Sequence, residues 1–418
     1  MAAPAASNSL TTLSGWFKTS YADKILDLVP DNVHYAREIP AVSKGAKTGG
    51  DYSHPVTLTS EQGITKAAAG SGTFALNPPI AMATRQATLA PSNFILRSGF
   101  DYETLTRLEG KNAFESETKE PVKNMIKSAY AYKEMDIMWG KSGAATILAV
   151  GGAPTYTITV ADFAPGMWWA SEGRMVTIYS AAGVLRGSDW ITSYVMTPGA
   201  PSFTTSAAIP GVVGTDVVYF SNGGAASEMN GLHQYMTAGG VFLGINPATY
   251  QLWAAAAATG AAGALSFNII QNAITTAYQR GLGVEDKGVE VMLSPLGWMT
   301  LANDEAALRD YDASYKPSQY ENGAEDIKFY SVAGPVRIIS HPFMKQGYAF
   351  IHPPAKKCMA EVGSRVKPTF DIPGANKGQE YLQTMPNNAG VETRLYWNAS
   401  LFSGKRSQFQ LITGIVNP

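Results

Sequence analysis

The feature that most constrains the fold is a long helical stretch that ends before residue 140. Its apolar residues have the i, i+3, i+4, i+7, i+8 spacing of one helical face: Val122, Met125, Ile126, Ala129 and Tyr130. Gly140 follows Trp139 where such a helix would end, and Pro121 requires either a first-turn position or a kink. A helix over 111–139 is roughly 40 Å long at about 1.5 Å per residue. Few small globular domains contain so long a helix.

The residues before this helix predict an extended ribbon. Two runs of strand-forming residues, 52–58 and 80–96, flank a segment of small residues that begins at Lys66, which is typical of a hairpin with a flexible tip. Because a two-stranded ribbon is marginally stable alone, we expect it to lie on another surface. Residues 1–46 mix polar residues with single apolar anchors, and they predict an arm with one short helix.

The residues after the long helix predict a compact all-β insert over 146–222. Its β-rich runs are separated by Gly and Pro turns: 156–160, 174–179, 190–196 and 217–220.

The second half of the chain alternates helices and strands. Helical spacing returns over 269–278, with Ser266 as its N-cap. A buried strand is expected over 289–293, and Ser294 behind it suits the N-cap of a helix that runs to about Tyr311. The remaining runs predict strands at 327–332, 336–340, 348–351, 391–397 and 409–415. This order indicates an α+β protein with interrupted domains.

Length and composition limit the classes of protein that are possible. The chain has 418 residues, more than one compact core of roughly 250–300 residues takes, so two or three lobes are expected. Charged residues make up 16% of the chain against about 25% in typical domains, which is compatible with much surface facing other protein. The formal net charge of −1 predicts no strong attraction to nucleic acid or to an anionic membrane. The cation pairs Lys356-Lys357 and Lys405-Arg406 predict solvated faces.

Nothing in the sequence indicates export or a membrane span. The N-terminus lacks the basic start and continuous apolar core of a secretory signal. The longest weakly polar stretch, 252–265, is too short to span a bilayer. Cys358 is the only cysteine, which excludes an internal disulfide, fits a reducing cytoplasm and favours a small buried residue.

Several motifs resemble catalytic ones without meeting their requirements. The tripeptide 140–142, Gly-Lys-Ser, mimics the end of a phosphate loop, but Met135 stands where that loop needs another Gly. The Ser-x-x-Lys at 116–119 and the Lys-Thr-Gly at 47–49 occur in the reverse of the order found in penicillin-recognising enzymes. No Gly-x-Ser-x-Gly elbow is present.

The titratable residues predict no metal or catalytic centre. The histidines have no zinc-ligand spacing: His34, His54, His233, His341 and His352. The carboxylates Glu115, Glu117 and Glu120 are close in sequence, but on one helix such residues more often face water or a neighbouring Lys. We therefore expect no catalytic, cofactor-binding or metal-binding residue and no enzymatic activity.

Short phrases spread over nearly the whole chain carry a family resemblance. They lie at 138–143 with 147–150, 163–167, 228–232, 291–298, 334–343 and 391–396. In this order they resemble segments of the major capsid proteins of tailed bacteriophages, the Hong Kong ninety-seven type fold.

The resemblance implies an α+β capsid fold with an all-β insertion domain. Its parts would be an N-terminal arm (1–46), an extended β-hairpin loop (47–100), a peripheral domain with the spine helix (101–145), the insertion domain (146–222), a second peripheral segment (223–284), an axial domain (285–385) and closing peripheral strands (386–418).

The function implied is a subunit of an icosahedral shell around phage double-stranded DNA, located in the virion and assembled in the host cytoplasm. Its partners would be copies of itself in hexamers and pentamers, with scaffolding, portal and decoration proteins as further candidates and only weak contact with packaged DNA. Some members of the family join subunits through a Lys to Asn isopeptide bond, for which Lys66 is a conceivable donor; no motif identifies its partner. The alternatives are an encapsulin-like cellular shell protein and a β-rich hydrolase or adhesin.

Overall fold

The computed structural model describes residues 33–42, 52–101, 103, 111–197, 199–237, 239–303, 327–370, 383–385 and 389–417, with the backbone alone at 111–120 and 327–328. Most of the predicted arm, the Lys-Thr-Gly at 47–49 and the region around Tyr311 lie outside these residues.

One long helix dominates the helical part of the described residues. The helices are α1 (Tyr35–Glu38), α2 (Lys111–Met138), α3 (Pro165–Trp168), α4 (Leu232–Thr237), α5 (Phe267–Tyr278), α6 (Pro295–Ala302) and α7 (Ala355–Cys358). The helix predicted over 111–139 is confirmed as α2, with Pro121 inside it. The predicted apolar stripe is wrong at Ile126, which is 37% exposed. Ile126 is turned by about 100° from Met125, the neighbour that faces the core.

The described strands fall into three sheets and a ribbon. They are β1 (Tyr52–Thr57), β2 (Thr84–Leu89), β3 (Ser92–Asp101), β4 (Ala145–Val150), β5 (Thr155–Ile158), β6 (Met175–Tyr179), β7 (Leu185–Val195), β8 (Ser202–Thr205), β9 (Val217–Phe220), β10 (Thr259–Gly263), β11 (Val289–Leu293), β12 (Ile327–Ser331), β13 (Gly334–Ser340), β14 (Tyr348–His352), β15 (Ala360–Thr369), β16 (Gln383–Thr384), β17 (Gly390–Phe402) and β18 (Gln410–Ile415). The single run predicted over 80–96 is two strands, β2 and β3, because strand pairing is interrupted at Ala90 and Pro91 and proline has no N–H to donate to a neighbouring strand.

The helix α2 packs on a sheet that joins distant parts of the chain. In this sheet β17 pairs with β15 and β16 on one side and with β3 on the other. The β3–β17 ladder runs antiparallel from Asp101 opposite Gly390 to Ser92 opposite Ala399. Apolar side chains of both elements form the contact: Met125 and Ala129 of α2 with Leu395, Trp397 and Ala399 of β17.

Residues 145–220 form a closed six-stranded barrel in the order β4-β5-β8-β7-β6-β9. Aromatic rings pack in its interior: the ring of Trp168 stacks on Phe203 at 5.2 Å and meets Phe220 edge to face at 5.1 Å, both between centroids. The run predicted at 217–220 is confirmed as β9, whereas β8 was not predicted, since its sequence Ser-Phe-Thr-Thr is short and three of its four residues are polar.

A six-stranded sheet, β10-β18-β14-β11-β13-β12, forms the third core. Every residue of the central strand β11 is buried. The helices beside it begin as predicted, because Ser266 accepts a hydrogen bond from the N–H of Ile269 and Ser294 accepts one from Gly297. Helix α6 ends at Ala302 with Asn303 as its C-cap, so the expectation that it runs to Tyr311 is wrong.

This third sheet crosses two of the expected domain boundaries. The strands β10 and β18 belong to segments assigned to the peripheral domain, yet they lie in the same sheet as β11 and β13. Conversely β15, which was expected in the axial domain over 285–385, pairs with β17. The segments therefore exchange strands near both boundaries, and the division into domains stays a prediction.

One predicted solvated cation is buried. Arg406 is fully buried; it donates hydrogen bonds to the carbonyls of Tyr235 (2.9 Å) and Trp253 (3.0 Å) and stacks over Phe242. Sequence reasoning failed because a guanidinium can be buried when carbonyl groups of distant segments accept its protons. Its neighbour Lys405 pairs with Asp286 at 2.6 Å.

Candidate assembly surface

The ribbon (residues 52–89) leaves the body as two antiparallel strands. Strands β1 and β2 pair from Tyr52 opposite Leu89 to Thr57 opposite Thr84. Pairing continues beyond them, because the N–H of Gln62 donates to the carbonyl of Ile80 at 3.1 Å. Pro78 and Pro79 then limit the hydrogen bonding between the two halves of the ribbon, since proline has no backbone N–H to donate.

The root of the ribbon is fixed to the body. Its inward side chains are buried: Leu58, Ala87 and Leu89. The N–H of Thr88 donates to the carbonyl of Leu243 at 3.0 Å, and Arg85 Nε donates to the hydroxyl of Tyr250 at 3.1 Å. The direction in which the ribbon departs is therefore set by the loop that carries Leu243 and Tyr250.

Beyond the root, the returning half of the ribbon exposes large apolar side chains at alternate positions. We call the set Phe74 (53% exposed), Leu76 (78%), Ile80 (54%) and Met82 (52%) the apolar ladder. In an extended chain residues spaced by two point to the same face. Large apolar side chains grouped in this way on a surface usually mark an interaction site.

The apolar ladder was not predicted, although the sequence contains a signal for it. Even-numbered residues from 74 to 82 are apolar and the odd-numbered ones are small or polar, apart from Pro79. This alternation was hidden because Ala and Pro weaken the contrast between the two faces.

The tip of the ribbon is built from small residues and turns at glycines. Gly70 and Gly72 have φ values of +83° and +63°, the left-handed region that glycine adopts without steric cost. Lys66, the donor considered for a covalent crosslink, is exposed close to this tip. The covalent crosslink through Lys66 stays a prediction.

A buried cluster of charged side chains, Lys133, Glu134 and Glu361, binds the N-terminal segment that precedes the ribbon; we call this cluster the hub. The carboxylate of Glu134 on α2 accepts hydrogen bonds from the N–H groups of Tyr35 and Ala36, both at 2.8 Å. Lys133, next to it, pairs with Glu361 of β15 at 2.8 Å. Burial raises the pKa of the Glu361 carboxyl, and Lys133 opposes this rise. Residue 41 continues the attachment as an isolated parallel bridge to Glu361.

Two of the histidines, His352 and His341, lie at this cluster. His352 donates from Nδ1 to the carbonyl of Pro353, so its Nε2 accepts from the Tyr35 hydroxyl at 2.7 Å. Burial lowers the pKa of His352 to about 4. His341 lies 3.3 Å from Glu134. Among the described residues, no group of three or more metal-ligating side chains is found.

The other histidines and the remaining candidates lie apart from the hub. His233 Nδ1 is 2.7 Å from Ser142 Oγ, and burial lowers the pKa of His233 to about 3. His54 stacks on Tyr52 at the root of the ribbon. The tripeptide 140–142 closes α2 as a single 3₁₀ turn, as the sequence predicted. The side chains of 115, 117, 120 and 116–119 lie outside the described residues.

The lone cysteine is a buried structural residue, as predicted. The thiol of Cys358 donates to the carbonyl of Pro353 at 3.2 Å. Burial raises the pKa of this thiol well above its usual value, which disfavours the reactive thiolate.

No helix in the part of the chain that the structure describes combines the length and apolarity needed to cross a bilayer. No protein-family model and no curated protein matches the sequence.

Several solved phage capsids are similar in structure to this chain. The chain is similar to the capsid asymmetric unit of cyanophage A-1(L), with 10% identity, a TM-score of 0.49, and 97% of this chain and 98% of that chain covered. It is also similar to the capsid of Myoviridae phage XM1, with 8% identity, a TM-score of 0.46, and 95% and 96% covered. For the mature capsid of bacteriophage PhiM1 the values are 9%, 0.44, 96% and 92%.

Proposed function

We propose that this chain is the major capsid protein of a tailed bacteriophage, a structural subunit and not an enzyme. Copies of the chain associate as hexamers and pentamers of an icosahedral shell that encloses double-stranded DNA. Three features of this chain support the proposal: the protruding ribbon, the long helix α2 along the β3–β17 sheet, and the separate barrel.

The apolar ladder carries the proposal. Its four side chains are each more than half exposed, and burying one such side chain stabilises a contact by about 1.5–3 kcal/mol. The ribbon is anchored at its root by hydrogen bonds to Leu243 and Tyr250, so it cannot fold back without losing them. A second copy of the same chain is the partner that a shell supplies at high local concentration.

The other parts take roles consistent with this contact. The ribbon extends over the neighbouring subunit, and the N-terminal arm runs beneath adjacent subunits and contacts them. The third sheet, around β11 and β13, meets its copies at the five-fold and six-fold axes, and the barrel projects outward. Neither an encapsulin-like shell nor a β-rich hydrolase or adhesin is favoured by a specific feature of the described residues.

The proposal extends to partners and location. The net charge of −1 suits an interior wall with only weak, non-specific contact with packaged DNA. Scaffolding, portal and decoration proteins are the further partners of such a shell. The protein resides in the virion and assembles in the cytoplasm of the host bacterium.

The experiment replaces the apolar ladder and follows assembly. We expect the variant Phe74→Ser, Leu76→Ser, Ile80→Ser and Met82→Ser to remain folded, because exposed substitutions change stability by only about 0.5 kcal/mol each. It should form no shells in negative-stain micrographs under conditions in which the wild type assembles.

The matched control replaces two equally exposed apolar residues of the body, Val184→Ser and Leu252→Ser, at 61% and 57% exposure. This control should form normal shells. Shells from the ladder variant at the wild-type yield would refute the role of the ladder, and a wild type that stays monomeric under every assembly condition would refute the capsid function.

A further inference from the structure

The loop that holds the root of the ribbon begins with a tight turn. We call residues 242–250 the anchor loop. The backbone groups of Phe242 and Ile245 bond each other, N–H to carbonyl, at 3.0 and 3.1 Å. Between them, Leu243 and Gly244 have φ values of +51° and +81°, and positive φ at both central residues is typical of a type I′ turn. A residue with a Cβ keeps this left-handed conformation only where its surroundings fix it.

The anchor loop contacts the ribbon near both of its ends. The carbonyl of Leu243 accepts the N–H of Thr88 at 3.0 Å, and the hydroxyl of Tyr250 accepts a hydrogen bond from Arg85 Nε at 3.1 Å. The Arg85 guanidinium also lies over the Tyr250 ring, 5.8 Å from its centroid. The direction of the ribbon therefore depends on where the anchor loop holds these two acceptors.

The guanidinium of Arg406 binds the chain on both sides of the anchor loop. Its Nε donates to the carbonyl of Tyr235 at 2.9 Å, and its Nη1 donates to the carbonyl of Trp253 at 3.0 Å. It also lies over the ring of Phe242, 4.4 Å from the centroid. Arg406, Tyr235 and Trp253 are all fully buried, so loss of these hydrogen bonds would leave carbonyl groups unpaired away from water.

Two short paths connect Arg406 to the residues that hold the ribbon. Phe242, which stacks with the guanidinium, directly precedes Leu243 in the turn. Trp253 donates its backbone N–H to the carbonyl of Tyr250 at 2.9 Å and its indole N–H to the carbonyl of Phe242 at 2.9 Å. A displacement of the guanidinium would therefore reach both acceptors of the ribbon.

A guanidinium suits this position because of its shape and charge. It presents several N–H donors in one plane, and the same plane stacks on an aromatic ring. A lysine ammonium is a point charge on a flexible stem and has no planar face to stack. Burial lowers the pKa of Arg406 to about 10, so the group stays charged near pH 7.

We propose that Arg406 is a positioning residue that aims the ribbon: its guanidinium fixes the anchor loop, and the anchor loop sets the direction in which the ribbon leaves the body. The inference rests on the proposed function, since a ribbon that associates with a second copy must point toward it. Arg406 lies in the 3₁₀ turn between β17 and β18, so a segment near the C-terminus sets the direction of a ribbon near the N-terminus.

The test measures the direction of the ribbon in the unassembled full-length chain. Spin labels are attached at Ser60→Cys on the ribbon and at Met299→Cys on α6, both exposed positions. Double electron–electron resonance then gives the distribution of distances between the two labels. Cys358 is buried, and a thiol in apolar surroundings is unreactive toward the label. With Arg406 in place, we expect one narrow maximum.

Two variants loosen the anchor loop to different degrees. Arg406→Lys keeps the charge but loses the planar donors, and the distance distribution should become at least about twofold wider. Phe242→Leu removes only the ring beside the guanidinium and should widen the distribution by less; it decides the question if Arg406→Lys does not fold. The control Leu293→Ala lowers the stability of the body at β11 and should keep the original width, whereas a purely stabilising role of Arg406 predicts equal widths in Arg406→Lys and Leu293→Ala.

The distances and the shells give separate answers. An unchanged distribution in the folded variants of Arg406 and Phe242 would overturn the inference, whether or not shells form, because the distances are measured before assembly. A wider distribution supports it. Micrographs of the same variants test the link to assembly: a wider distribution should lower the shell yield, and shells at the wild-type yield would refute the role of the ribbon in the proposed function while the positioning role of Arg406 stands.

Discussion

The third sheet and the ribbon both consist of extended chain, but they differ in how far their strands are flanked by other strands and their side chains are buried. In the sheet, β11 has a hydrogen-bonded neighbour on each side and every one of its residues is buried. In the ribbon, only the root is buried, and the apolar ladder faces outward. The chain therefore places the residues that stabilise the subunit and the residues available for association in different segments. Substitutions in the two regions should separate folding from assembly.

The largest expected effect lies in the body, at the buried ion pair of Lys133 and Glu361, whose side chains are 2% and 4% exposed. Lys133→Met leaves Glu361 charged without its partner, and we expect a loss of about 3–5 kcal/mol in the free energy of unfolding near pH 7. Urea denaturation of the unassembled chain measures this loss. Because burial already raises the pKa of Glu361, the carboxyl takes up a proton as the pH falls, and the loss should shrink toward pH 5.

The matched control is the double variant Lys133→Met and Glu361→Leu, which removes both charges. It should recover most of the lost stability, since two apolar side chains can replace a buried pair at little cost. A single variant as stable as the wild type would show that the hub does not stabilise the body.

The second effect concerns the centre of the sheet. Leu293 of β11 is fully buried, and Leu293→Ala should lower the free energy of unfolding by about 2–5 kcal/mol through lost burial and a cavity. Thermal melts of the unassembled chain give the change. Chains that do fold should still assemble, because the ribbon is untouched; folded chains that fail to assemble would contradict the separation of the two regions.

The smallest effect on stability and the largest on assembly are expected at the ribbon tip. Deletion of residues 70–74 removes Phe74, one member of the apolar ladder, together with the two glycines that form the turn. Stability should change by no more than about 0.5 kcal/mol, because the deleted residues are exposed. Shell yield, counted in micrographs, should drop sharply; normal stable shells would refute the assigned role of the ribbon.

Elements with a strong local signal were predicted well from the sequence. Helix α2 and strands β9 and β11 were found near their observed bounds, as were the N-caps Ser266 and Ser294. Each depends on periodicity, branched residues or capping within a few positions. The ribbon was expected for the same local reasons.

What the sequence did not predict depends on contacts between distant segments. Strand β10 has the sequence Thr-Gly-Ala-Ala-Gly, which carries no strand signal and is ordered by pairing with β18. Arg406 looked solvated because its acceptors, the carbonyls of Tyr235 and Trp253, are far away in the chain.

The pairing of β3 with β17 also sets the order of events during synthesis. Ser92 opposite Ala399 and Asp101 opposite Gly390 are contacts between residues made about three hundred positions apart. A chain emerging from the ribosome cannot complete the β3–β17 pair until residue 399 has been made, or the β10–β18 pair until residue 415 has been made. Such long-range contacts make folding slow. The ribbon emerges early, so a nascent chain exposes the apolar ladder before β3, the strand that follows the ribbon, has gained its partner β17.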